Sequence, residues 1–174
     1  MLSEKIQDAM NEQINAELFS SYLYLSMSAY FEAQNFTGMA RWMRVQAQEE
    51  VVHAMKFFDF INERGGRVVL DTIETPQTEW ESPTIAFEAA YAHEQKVTRL
   101  INDLVDVAES ERDRASMNFL QWYVDEQVEE EASVDEIVNK LKMFGSAPQA
   151  LYMIDRELQQ RSFAAPSASE EEGE

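Results

Sequence analysis

Four glutamates and one histidine, Glu17, Glu50, His53, Glu94 and Glu130, are the residues whose types and spacing could do chemistry. Carboxylate oxygens joined by one imidazole nitrogen make a donor set of mixed hard and borderline character, suited to a divalent cation. Glu50 and His53 form Glu-x-x-His, one helical turn apart on one face. Each glutamate also interrupts an apolar stripe of 3/4 spacing near its middle. The first stripe reads Ile6, Met10, Gln13, Glu17, Ser20, Tyr24, Met27 and Phe31, and the second Met39, Met43, Gln46, Glu50, His53, Phe57 and Phe60. The third reads Phe87, Ala90, Glu94, Val97, Ile101 and Leu104, and the fourth Leu120, Tyr123, Gln127, Glu130, Val134, Ile137 and Leu141. Stripes of this kind face one another inside a helical bundle, so these carry acids into a core.

Taken singly, each glutamate reads as part of a solvated helix face, because buried Glu is rare. His53 alone reads equally well as a hydrogen-bonded core histidine, and a lone Glu-x-x-His matches by chance. The joint pattern is different. Glu17 lies about as far before the first turn as Glu50 lies after it, and Glu94 and Glu130 bracket the second turn in the same way. At about 1.5 Å rise per residue the mismatches amount to roughly 5 Å, so all four acids meet near mid-height. No Lys or Arg stands on these central stretches. Buried carboxylates without partners are too costly to persist ionised, and a cation resolves the conflict. Iron or manganese suits the ligands, with zinc as competitor.

The elements that position these residues are helices. Only five Gly and four Pro punctuate the chain. Ser3 caps a first helix running to about Gln34, and Asn35 to Gly38 make a turn. A second helix spans about Thr37 to Arg64 and stops at Gly65-Gly66. After a connection from Arg67 to Ser82, Pro83 opens a third helix to about Ser110. A break near Glu111–Arg114 precedes a fourth helix to about Phe144. Gly145 ends it, and Pro148 starts a short fifth helix to about Gln160. Short turns make each helix pair an antiparallel hairpin. A helix of ~28 residues is about 42 Å long, whereas ~18 extended residues reach about 60 Å. The connection can therefore run the full bundle length and make helices two and three parallel. The expected fold is all-α: a four-helix bundle with one long crossover and a short fifth C-terminal helix, as one domain over residues 1–161. Val68-Val69-Leu70 docks on the bundle or on another subunit. Residues 162–174, with Ser-Glu-Glu-Glu-Gly-Glu, read as a flexible acidic tail.

Composition narrows the function. The formal net charge is −19 over 174 residues, with a pI of about 4.4. Nucleic-acid binding needs a basic footprint, so the charge argues against that partner class. Such charge attracts cations or simply keeps copies apart in solution. The chain has no Cys, which removes disulfides, thiolate metal sites and redox dithiols. No signal peptide precedes the first helix and no apolar run approaches a membrane span, so a cytoplasmic location is expected.

Asn15-Ala16-Glu17, Gln48-Glu49-Glu50-Val51-Val52-His53-Ala54 and Trp122-Tyr123-Val124-Asp125-Glu126-Gln127-Val128-Glu129-Glu130-Glu131-Ala132 closely resemble the prokaryotic non-haem ferritins, members of the ferritin-like di-iron family. The resemblance covers nearly the whole chain, from Ser3 to about Gln160. Di-iron carboxylate bundles are a recognised template, so this part of the fold expectation is not independent of it. The resemblance implies one iron held by Glu17, Glu50 and His53, and a second by Glu50, Glu94 and Glu130, with Glu50 bridging. It implies Gln127 beside the place where dioxygen reacts, and Tyr24 close enough to hydrogen-bond or donate an electron. It implies a third iron site of Glu49, Glu126 and Glu129 that shares Glu130. Without it, those three acids read as a wet face, and Tyr24 and Trp122 as core packing. Where the di-iron template has a second Glu-x-x-His, this chain has Gln127-Val128-Glu129-Glu130, which makes the site lopsided. Bacterioferritins keep a symmetric site and bind haem through a Met next to the site His. Val52 stands there in this chain, so no haem is expected. Rubrerythrins add a Cys-rich part that a chain without Cys cannot have.

The function so implied is ferroxidase action, oxidation of Fe(II) to Fe(III) by dioxygen or peroxide, with storage of the product as ferric mineral. The family implies a hollow homo-oligomeric shell of 24 subunits. Two rivals stand beside it. A di-iron enzyme acting on an organic substrate would keep its iron as a tight cofactor, and a metal-free interaction module would bind no Fe(II) or Zn(II).

Overall fold

The computed structural model describes residues 2–145 and 147–163. Among these the elements are α1 (Glu4–Ala33), α2 (Thr37–Glu63), α3 (Pro83–Ser110), α4 (Arg114–Phe144) and α5 (Pro148–Leu158). The acidic tail expected over 162–174 lies, from residue 164 onward, outside the described residues. No described helix is long and apolar enough to cross a membrane.

The caps explain the boundaries. Ser3 accepts from Ile6 N at 3.4 Å to open α1, and Ser82 from Ile85 N at 3.2 Å to open α3. Asp113 takes the amides of Ala115 and Ser116, both at 3.1 Å, at the start of α4. α2 has no cap of its own. The Asp155 carboxylate of α5 supplies one, accepting from Met39 N at 2.8 Å. Gly38 permits that approach: a Cβ there would sit 1.7 Å from the Asp155 carbonyl oxygen. α1, α2 and α3 end alike. Phe36 N bonds Phe31 O, Gly66 N bonds Ile61 O and Asp113 N bonds Ala108 O. The residue before each is left-handed: Asn35 at φ 63°, Gly65 at 72° and Arg112 at 54°.

Two antiparallel hairpins, α1/α2 and α3/α4, pack with α1 against α3, and α5 lies across α2 and α4. The crossover is fastened along one column of α1. Gln7 accepts from Arg67 N at 2.8 Å, Asn11 accepts from Val69 N at 3.0 Å, Asn15 donates to Thr72 O at 3.1 Å, and Ser26 donates to Gln77 O at 2.6 Å. Both segments ascend together, so the crossover runs beside α1 and α2 lies parallel to α3. Val68 packs against the core, whereas Val69 and Leu70 are exposed. The stripes are buried at every position but one. Phe60 is half-buried and Ile61 takes the core place at that end of α2.

Candidate metal centre

The core is divided. One apolar cluster gathers Met27, Phe31, Met43, Phe87, Val134 and Leu141 among others, and a second gathers Ile6, Met10, Phe57, Ile101, Leu104 and Leu120. Between them lies a polar layer. Glu17 and Glu94 are 1% exposed, Glu50 3%, His53 4% and Glu130 6%, which rules out a solvated face for all five. The 3/4 stripes place them there: each helix turns the same face inward above and below this level.

Glutamines hold the carboxylates. Gln13 donates to Glu17 at 2.9 Å. Gln46 donates to Glu50 at 3.1 Å and to Glu130 at 2.8 Å, tying α2 to α4. Gln127 donates to Glu94 Oε2 at 3.2 Å. The Tyr24 hydroxyl, fully buried, donates to Glu94 Oε1. His53 Nδ1 lies 3.4 Å from Glu50 Oε2, and its Nε2 lies 3.8 Å from Glu126 Oε1. The Tyr123 hydroxyl donates to the His53 carbonyl at 2.7 Å. Glu17 Oε2 is buried with no hydrogen-bond partner among the described residues.

The electrostatics follow from burial. Desolvation, then the charge of Glu50, pushes Glu17 up to about 8. The same causes raise Glu130 to about 7 and Glu94 well above the ordinary range. Burial works to raise Glu50 as well, but the His53 hydrogen bond and charge, with Gln46, outweigh it and hold Glu50 low. Burial opposes protonation of His53, yet Glu126, Glu50 and Glu17 together raise it well above its usual value. Without metal, Glu50 and His53 are biased toward a charged pair, and burial biases Glu17, Glu94 and Glu130 toward their neutral forms. A cation would replace those protons.

Two constellations bring ligand atoms within 4.8 Å of one another: Glu17, Glu50 and His53, and His53, Glu126 and Glu130. Glu94 joins neither, because Tyr24 and Gln127 hold its carboxylate. Glu49 is half-buried and bonded to Arg161. Glu129 is exposed and joins neither group. Trp122 is 37% exposed rather than core-packed; its ring stands edge-on 5.3 Å from His53, beneath the Lys56 ammonium at 4.3 Å. Four residues of the site escape a sequence reading centred on acids. Gln13 and Gln46 carry a signal, a polar residue on an apolar stripe four positions before a glutamate. His93, which shares a 2.8 Å hydrogen bond with Ser20, and Arg161 carry none. The inward stripes bear no Lys or Arg, but Lys56 and Lys96 stand on the same helices within a turn of His53 and Glu94, and Arg161 reaches the layer's edge from beyond α5.

A crossover four-helix bundle split by a buried carboxylate–histidine layer defines a carboxylate metal protein of the ferritin-like kind. The ferritin family model, a ferritin-like domain, matches residues 7–144. The bacterial non-haem ferritin of Bacteroides fragilis is 48% identical over 92% of this chain and 100% of its own length. That of Escherichia coli O6:H1 is 41% identical over 91% of this chain and 96% of its own. A solved open-pore ferritin from the hyperthermophilic archaeon Archaeoglobus fulgidus superimposes with a TM-score of 0.92 at 55% identity, over 93% of this chain and 100% of that one. The chain belongs to the ferritin family.

Proposed function

We propose that this chain stores iron as the subunit of a homo-oligomeric shell, of 24 copies, and oxidises Fe(II) at a centre contained within each subunit. The observation that carries this reading is the buried acid layer with the unpartnered Glu17 Oε2. A cluster so poor in counter-charge is made for cations that arrive and leave. Glu17, Glu50 and His53 take one iron, and Glu50, Glu94 and Glu130 a second, with Glu50 bridging. Filling the second position turns Glu94 off Tyr24 and Gln127. Two Fe(II) ions each give up one electron, and dioxygen takes both with two protons to become hydrogen peroxide. The carboxylates favour the Fe(III) product by charge, and the lack of a second His weakens its retention. Glu126 and Glu130, with Glu49 and Glu129, form the next station. One ferritin-like domain covers residues 1–161, and 162–174 are not needed for it. Iron, dioxygen or peroxide, and further copies of the chain are the partners; a cytoplasmic location fits them.

Aerobic Fe(II) loading followed by size exclusion tests the reading. Iron should co-elute with a particle far larger than the 20.1 kDa chain, at many ions per subunit. A monomer, or iron held at two per subunit and no more, overturns it.

A further inference from the structure

Arg161 is the one residue beyond the four-helix bundle whose charge touches the acid layer in the described residues. Its Nη2 bonds Glu49 Oε2. Its guanidinium lies over the Trp42 ring, 4.2 Å from the centroid. Its carbonyl accepts from Arg41 Nε at 2.8 Å, and its Nη1 is buried without a partner among the described residues. Glu49 alone does not bring it there. Asp155 on the α2 N-terminus and the bare Gly38 backbone seat α5, and α5 delivers Arg161 to the flank of α2.

We propose that Arg161 is a built-in counter-cation for the third iron position: it holds Glu49 Oε2 while that position is empty and is displaced when a metal cation takes that oxygen. The proposal rests on the reading of Glu49 as a ligand of that position. A metal ion that takes Glu49 Oε2 competes with the guanidinium bonded there, and two positive charges at one carboxylate repel each other. The arrangement keeps Glu49 aimed, at the cost of affinity for the incoming ion. It acts as a positioning residue, setting when the third position opens. Release of Arg161 leaves the face of Trp42, which gives the event an optical signal independent of oxidation.

The test is an anaerobic Zn(II) titration of the assembled full-length protein, with calorimetry and tryptophan emission followed together. Trp42→Phe isolates the Trp42 contribution from Trp80 and Trp122. After two equivalents per subunit, a third should bind with a Trp42-dependent change in emission. In Arg161→Gln that change should vanish and the third equivalent should bind more tightly, by a few-fold to about tenfold, as removal of a partly exposed ion pair implies. Arg161→Lys, which keeps charge but loses the planar stack, should fall between. Equal or weaker third binding in Arg161→Gln overturns the proposal. If Glu49→Gln leaves the third equivalent unchanged in both the parent and the Arg161→Gln background, Glu49 is no ligand, and the reading beneath the proposal fails instead.

Discussion

Glu50 is held at both carboxylate oxygens: His53 Nδ1 lies 3.4 Å from one, and Gln46 Nε2, which also reaches Glu130, lies 3.1 Å from the other. It is also the acid that burial fails to protonate, so it is already charged when a cation arrives. Glu50→Ala should therefore slow the fast oxidation of the first two Fe(II) per subunit by at least ~100-fold, more than any other single change, since even outer partners of metal ligands cost about 10–100-fold. His53→Ala should weaken mainly the first position. Each change breaks the buried Glu50–His53 pair and should cost about 3–5 kcal/mol in the metal-free protein, so circular dichroism must show the variant folded before its rate is read. Glu49→Ala, Glu126→Ala and Glu129→Ala should keep the two-iron phase and alter clearance between rounds. Stopped-flow oxidation at two and then three Fe(II) per subunit separates the cases. An unchanged initial rate in Glu50→Ala, or an equal loss in the three outer variants, defeats the assignment.

Helix ends offer a cleaner handle on the elements than the acid layer does. Asp113 caps α4 and pairs with Arg64, Nη2 to Oδ2 at 2.8 Å, with both side chains under a quarter exposed. Arg64, and then the capped amides, hold the Asp113 carboxyl below its ordinary range. A depressed folded value means stability that is present above the unfolded aspartate range and lost as pH falls through the folded one. Asp113→Ala should cost about 0.5–2 kcal/mol at neutral pH, and Asp113→Asn should converge on the parent at acid pH. Arg112, left-handed at φ 54°, should accept Gly with a gain of about 1 kcal/mol or less. Denaturant midpoints across pH check both; a gap for Asp113→Asn that persists in acid refutes the pairing. These ends show why the fold was so legible in the sequence. Ser3, Gly65, Pro83 and Pro148 are local signals, and the four stripes repeat one period, so boundaries and inward faces follow from neighbours in the chain. Asp155 capping α2 and Arg161 meeting Glu49 join residues more than a hundred positions apart, and nothing local announces either. Phe60 misled because a 3/4 step at the end of a stripe fits two successive residues, and packing chose Ile61.

Assembly must overcome a net charge of −19 on every copy, so contact between copies needs apolar surface where the charge is thin. The crossover provides it. Its inner edge is fixed to α1 by Asn11 and Asn15, while its outer side leaves Leu70 63%, Val69 54% and Ile73 39% exposed. Tyr22, at 51%, stands on the same column of α1, and Leu25, at 46%, one turn beyond. A lone subunit has no use for this patch, and another copy is the available cover. Leu70→Glu places a charge at its middle and disturbs almost nothing within the subunit. Helicity and the two-iron fast phase should survive, because every proposed ligand of the centre comes from one chain. Native mass spectrometry should show the large particle reduced to dimers or monomers, while Leu70→Met should assemble as the parent does. The iron retained after aerobic loading should then fall to a few ions per subunit, with excess Fe(III) precipitating outside the protein. That outcome parts oxidation, a property of the single bundle, from storage, a property of the enclosed volume. A Leu70→Glu particle of parental mass and capacity would show that the crossover patch lies outside the contacts that close the shell.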